Sequence, residues 1–207
     1  MAAKIAEESS AIARPGWVMT QGSGLAAALP PGLINACRKG EREALRVLFE
    51  LYKDGVFSIA LNFSGNKSLA LDICQDVFLK LISTLHSLRD EANFRPWLCR
   101  LVVNSCMDAH RQARRFVAEA EDEVKKNDSA ASPEDAAQQQ QLGLEVRSQV
   151  ARLAPHLRIP ILLRYVEGLS YEEIGRVLGC SMGTVASRLS RSHKLLARRL
   201  SYLRGVI

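Results

Sequence analysis

Aromatic residues are scarce in this 207-residue chain, at 6%, and the 5 cysteines are odd in number and scattered (Cys37, Cys74, Cys99, Cys106, Cys180). No Cys-x-x-Cys pair occurs, which excludes a zinc ribbon, and the uneven count argues against a disulfide framework. The thiols read as small core hydrophobes in a reducing compartment. His86, His110, His156 and His193 stand apart from one another and from carboxylates at ligand spacing. That argues against a metal-dependent hydrolase, so neither catalytic residues nor a metal, cofactor or small-molecule substrate is expected. No run approaches the roughly 18 apolar residues that span a bilayer, and no membrane insertion is expected. A charged head, apolar core and cleavage site are missing from the N-terminus, which is unlike a secretory signal and points to a cytoplasmic protein. Sustained alternation of apolar and polar residues is absent too, while helical spacing is everywhere, so the fold class is all-α.

What the chain does have is charge, unevenly placed. Its net charge is +6, yet residues 117–137 carry a net −5, between a block of net +4 over 31–116 and one of net +7 over 138–207. Basic blocks of this kind attract phosphate backbones and give salt-sensitive binding. Residues 1–30, rich in Ala, Gly and Ser and holding Trp17, read as a mobile tail. The acidic, aperiodic stretch 117–137 reads as a flexible linker between two small helical domains, 31–116 and 138–207.

The most informative stretch is Tyr171 to Arg199. Ile174, Val177 and Leu178 suit a short amphipathic helix capped by Ser170, Gly179-Cys180-Ser181 breaks the pattern, and Ser181 can cap a second helix. In that second helix Val185, Leu189, Leu196 and Leu200 form one stripe and Ser187, Arg191, Lys194 and Arg198 the opposite one. Gly175 sits where a second helix can cross closely. Together these predict a helix-turn-helix whose polar stripe lies in a DNA major groove.

Earlier in the chain, Leu45, Leu48, Phe49, Tyr52, Val56, Ile59, Ala60 and Phe63 recur at helical spacing over 32–63. Ser68 is the expected cap of a helix from Leu69 to about Leu85, with a core face of Leu71, Cys74, Phe78, Leu81 and Leu85. On spacing alone its Asp72, Gln75 and Asp76 read as a solvated face. A loop over His86–Asn93 precedes a helix that opens at Asn93 or Phe94 with Arg95-Pro96-Trp97 and runs to about Arg115. Arg100, Asn104, Arg111 and Arg115 fall within about 60° of one another at roughly 3.6 residues per turn. This row suits either a strand-tracking surface with Trp97 stacking on bases, or a solvated basic helix with Trp97 in the core. A helix from Pro133 or Glu134 ends before Pro155, another covers Arg158–Val166, and Gly168 closes it.

In this order and spacing, three stretches resemble the extracytoplasmic-function sigma factors of the sigma-70 family: 44–85, 93–115 and 163–196. The resemblance implies that Asp72, Gln75, Asp76 and Phe78 dock on RNA polymerase core, which replaces the solvated-face reading. It implies that the loop 86–93 captures a flipped promoter base, at a cost of a few kcal/mol that pocket contacts must repay. It places Asn93, Phe94, Trp97, Arg100, Asn104, Arg111, Arg114 and Arg115 at the −10 element. At the −35 element it places Thr184, Ser187, Arg188, Ser190 and Arg191, with Lys194 and Arg198 on phosphates. The acidic linker would lie in the polymerase's nucleic-acid channel, and an anti-sigma factor would be a partner. Ala186 stands where the family often has Lys or Arg, so the −35 sequence read is expected to be unusual. The alternative is a stand-alone helix-turn-helix regulator, which would have no use for the polymerase-docking face.

Overall fold

In the computed structural model, residues 24–119 and 134–201 are described. Most of the expected N-terminal tail, Trp17 included, and most of the acidic connector lie outside them. The described residues form helices without strands. The first group is α1 (Leu33–Arg38), α2 (Arg42–Ser64), α3 (Lys67–Thr84) and α4 (Phe94–Glu119), with single 3-10 turns at Leu85–Ser87 and Glu91–Asn93. The second is α5 (Glu134–Ala151), α6 (Pro155–Tyr165), α7 (Tyr171–Leu178) and α8 (Met182–Arg199). Helices α2, α3 and α4 pack on one another, and α8 packs across α6 and α7.

The long α2 buries Leu48, Tyr52, Val56, Ile59, Ala60 and Phe63 along one stripe. Asn66, not Ser68, caps α3, its side chain accepting the Leu69 N–H at 3.0 Å. The core face of α3 is also rotated from the expected one. Ala70, Ile73, Val77 and Leu81 are buried, whereas Leu71 is 53% exposed and Cys74 and Phe78 are half-buried. Both stripes satisfy helical spacing, because this helix is apolar on two faces. Helix α4 carries Pro96 in its first turn and continues past Arg115 to Glu119. Pro155 opens α6, earlier than the expected start at Arg158, since its fixed φ suits a first helical position.

The two groups are in contact. Helix α2 meets α5 and α6, and α4 meets α7. Arg158 on α6 is buried and donates to Leu153 O from Nε and Nη2 (3.2 and 2.7 Å) and to Phe63 O from Nη1. Its guanidinium also lies 4.8 Å from the Phe63 ring centroid. The Phe63 carbonyl belongs to the last turn of α2, where no intrahelical donor remains, so an arginine of the second group closes a helix end of the first.

Candidate protein and nucleic-acid interfaces

Helices α7 and α8 form the helix-turn-helix. Ser170 accepts the Glu173 N–H at 3.2 Å while the Glu173 carboxylate accepts the Ser170 N–H at 2.7 Å, a reciprocal cap that fixes where α7 starts. Gly179 ends it with φ 64. A Cβ on Gly175 would sit 2.8 Å from Cys180 O, so the close approach is to the turn and not to the second helix. Ser181 caps α8 through the Thr184 N–H at 3.2 Å, and the Ser181 and Thr184 hydroxyls lie 3.0 Å apart. Val185 and Leu189 are buried beneath. Ser190, Arg191, Lys194 and Arg198 are exposed, while Thr184, Ser187 and Arg188 are half-buried. Arg191 Nη2 donates to Ser187 Oγ at 3.0 Å, so the guanidinium is held over the outer face of the helix.

On α4, Arg100, Asn104, Arg111 and Arg115 are all exposed along one row. The side chain of Arg114 lies outside what is described. Asn93 is exposed and donates from Nδ2 to Asp90 Oδ2 at 2.8 Å. Phe94 departs from its expected place at the DNA surface. It is 2% exposed, its ring 5.1 Å from that of Tyr52 and 5.9 Å from that of Trp97. As the first residue of α4 it points back under the helix and anchors it on α2. Trp97 is half-buried against the same core.

On α3, Asp72 and Gln75 are exposed, and Phe78 is half-buried with its ring 4.7 Å from that of Phe49. Around them lie exposed Leu71, Leu79 (62%) and Ile82 (54%). Leu71, Phe78, Leu79 and Ile82 recur at i, i+7, i+8 and i+11 with Gln75 at i+4 between them, a largely apolar stripe on the outer side of the helix. Asp76 is occupied otherwise. It pairs with Lys80 at 2.7 Å, and Lys80 reaches Asp108 Oδ2 and Ser105 Oγ on α4, both at 3.3 Å. Asp108 also accepts from Arg111. That bond holds the Asp108 carboxyl below its ordinary pKa, with Lys80 adding to it, and the Asp76 contact raises the Lys80 ammonium. An open groove of about 790 Å³ separates the helices, with Asp72 and Asp76 on one wall and Arg111 and Arg115 on the other. Sequence reasoning missed Leu79 and Ile82, one and two turns on from Gln75, and the Lys80–Asp108 bridge, of which only the i, i+4 pairing of Asp76 with Lys80 was legible.

Two family models match the chain: Sigma-70 region 2 over residues 48–116 and Sigma-70 region 4 over residues 143–196. The chain belongs to the extracytoplasmic-function sigma factors of the sigma-70 family. It is 32% identical to the ECF RNA polymerase sigma factor SigE of Mycolicibacterium smegmatis over 72% of this chain and 58% of that protein. It is 28% identical to SigW of Bacillus subtilis over 81% of this chain and 94% of that protein. The same identity relates it to the sigma-E factor of Escherichia coli, over 83% and 94%. Two solved structures share the fold. One is CnrH in complex with the cytosolic domain of CnrY, at TM-score 0.60 and 23% identity over 82% of this chain and 96% of that one. The other is the sigma factor RpoE with the anti-sigma factor NepR from Bartonella quintana, at TM-score 0.58 and 23% identity over 79% and 98%. The exposed stripe of α3 and the arginine row of α4 both fall inside the region 2 match, and α7 and α8 inside the region 4 match. No helix among the described residues is long and apolar enough to cross a membrane.

Proposed function

We propose that this sigma factor docks on the core of bacterial RNA polymerase through α3 and directs promoter-specific initiation, with region 2 at the −10 element and region 4 at the −35 element. The polymerase supplies the chemistry, in the cytoplasm, and this chain supplies the address. The observation that carries the docking reading is the outer stripe of exposed Leu71, Leu79 and Ile82 with half-buried Phe78 among them, beside Asp72 and Gln75. A contiguous exposed apolar face on a small protein marks a binding surface. A regulator acting alone has no use for it. Arg100, Asn104, Arg111 and Arg115 are spaced to follow a strand's phosphates, and exposed Asn93 joins them, with Arg114 assigned to the same element by its place in the sequence motif alone. On α8, Ser187, Ser190 and Arg191 face the groove, with Arg188 beside them, and Lys194 and Arg198 reach phosphates. An anti-sigma factor completes the partners, consistent with the complex in which the RpoE fold relative was solved.

The test is retention of core polymerase by the full chain carrying Leu79→Asp and Ile82→Asp. Both side chains are exposed, so the helical circular-dichroism signal should stay at the wild-type level while pull-down of core and run-off transcription are lost. Undiminished pull-down would remove the docking assignment.

A further inference from the structure

The two DNA-reading domains are locked face to face, and the lock includes a third piece of chain. Residues 24–29 enter the seam between them. Leu25 is completely buried, and its N–H donates to Glu167 Oε2 at 2.7 Å, on the α6–α7 connection of region 4. Two residues on, Ala27 O accepts the Tyr52 hydroxyl at 3.0 Å, on α2 of region 2. The segment therefore bonds both domains at once. Helix α2 is shaped to receive it, because a Cβ on Gly55 would meet the Gly24 carbonyl carbon at 2.9 Å and the Leu25 nitrogen at 3.0 Å. Beside it Arg95 Nη2 donates to Glu167 O at 2.6 Å, and Arg100 Nη2 to Arg176 O at 2.5 Å. Arg100 belongs to the row assigned above to promoter DNA, so region 4 occupies part of that row.

Closure has a geometric consequence. The −10 and −35 elements lie about 25 base pairs apart, roughly 85 Å of B-DNA at about 3.4 Å per pair. A compact chain of this length has a radius of gyration of about 17 Å and is about 45 Å across. With α4 against α7, the two readers cannot sit on both elements. We propose that residues 24–29 are an intramolecular latch, seated between Gly55 and Glu167, that holds the chain in a closed form unable to span a promoter, and that release of this segment opens the domains for initiation. The proposal rests on the sigma-factor reading for its functional meaning but not for its structural content.

Gly55→Ala tests it. The substitution lies outside the docking and DNA surfaces and suits a helix interior, where Ala is the better former. Its methyl group strikes the backbone of the latch. In the full chain, hydrogen exchange at the Leu25 amide should quicken at least tenfold while the buried amides of α2 keep their protection. Small-angle scattering should show a radius of gyration several Å above wild type. At limiting protein, run-off transcription from a promoter the wild type uses should rise several-fold. Leu25→Asp, which places a charge in the same apolar seat, should act alike. An unchanged radius of gyration and an unchanged Leu25 amide in both variants would overturn the latch. An opened chain with no gain in initiation would overturn its inhibitory role. If wild type and variants all fail to initiate on any template, the sigma reading fails, and exchange and scattering still decide the latch.

Discussion

Arg191, proposed above as a −35 contact, is held in place by its own helix. Its guanidinium rests on the Ser187 hydroxyl at 3.0 Å, on the exposed face of α8. Part of the rotamer freedom that binding must otherwise remove is therefore already gone in the free protein. A guanidinium so placed matches the two acceptors of a guanine edge, worth about 1–3 kcal/mol of discrimination. Arg191→Ala is expected to reduce run-off from templates carrying the preferred −35 base by about ten- to a hundredfold, with little change on templates carrying another base there. Equal loss on all four bases would make Arg191 a phosphate contact. Asp76 and Phe94 mark what composition and spacing left hidden at this scale. Asp76 looks available but is held by Lys80, and Phe94 looks like a stacking residue at a helix start but is sealed between Tyr52 and Trp97. The Asp76–Lys80 pair itself has a legible i, i+4 spacing, but the onward bridge from Lys80 to Asp108 and the burial of Phe94 depend on neighbouring elements that local spacing does not report.

At the scale of elements, legibility followed how many faces a helix uses. The helix-turn-helix was readable nearly to the residue, because Ser170, Gly179 and Ser181 punctuate it and α8 buries only one stripe. Helix α3 misled because it packs on one apolar face and offers another to solvent. The set Leu71, Cys74, Phe78 and the set Ala70, Ile73, Val77 both fit helical periodicity, and only the position of α2 and α4 chooses between them. The turn of the DNA-reading unit makes a sharper claim. Gly175 leaves no room for a side chain against Cys180 O, so Gly175→Val must push the turn outward and tilt α8 away from its seat on α7. Affinity for a −35 duplex should fall at least tenfold, read by fluorescence anisotropy, while pull-down of core polymerase is retained. Equal loss of both would show that the substitution unfolds the whole chain rather than misaiming one helix.

For the whole molecule, the seam between the domains had no signature in the sequence. Its principal acceptors include the backbone carbonyls of Phe63, Glu167 and Arg176, which any residue supplies. The ionisable group inside the seam gives it a pH dependence with a definite sign. Glu167 is 5% exposed, and burial lifts its pKa from 4.5 to about 6 against the lowering effects of the Leu25 N–H and Arg95. The groups facing it are Arg95 and the Cys99 thiol on α4, and the thiol is pushed up to about 12 chiefly by its own burial. A carboxyl whose pKa is raised by closure favours the closed form below its free value of 4.5, and that advantage disappears as pH rises through about 6. A rise of this size corresponds to about 2 kcal/mol between the two ends of the window. Raising the pH from 4.5 to 7 should therefore loosen the seam, seen as faster exchange at the Leu25 amide after correction for the intrinsic pH dependence of exchange. In Glu167→Gln the side chain still accepts the Leu25 N–H but no longer titrates, so the corrected rate should be flat across the same range. A wild-type profile as flat as that of the variant would show that Glu167 keeps one protonation state throughout, and the seam would then owe its strength to packing and to the Arg95, Arg100 and Arg158 contacts alone.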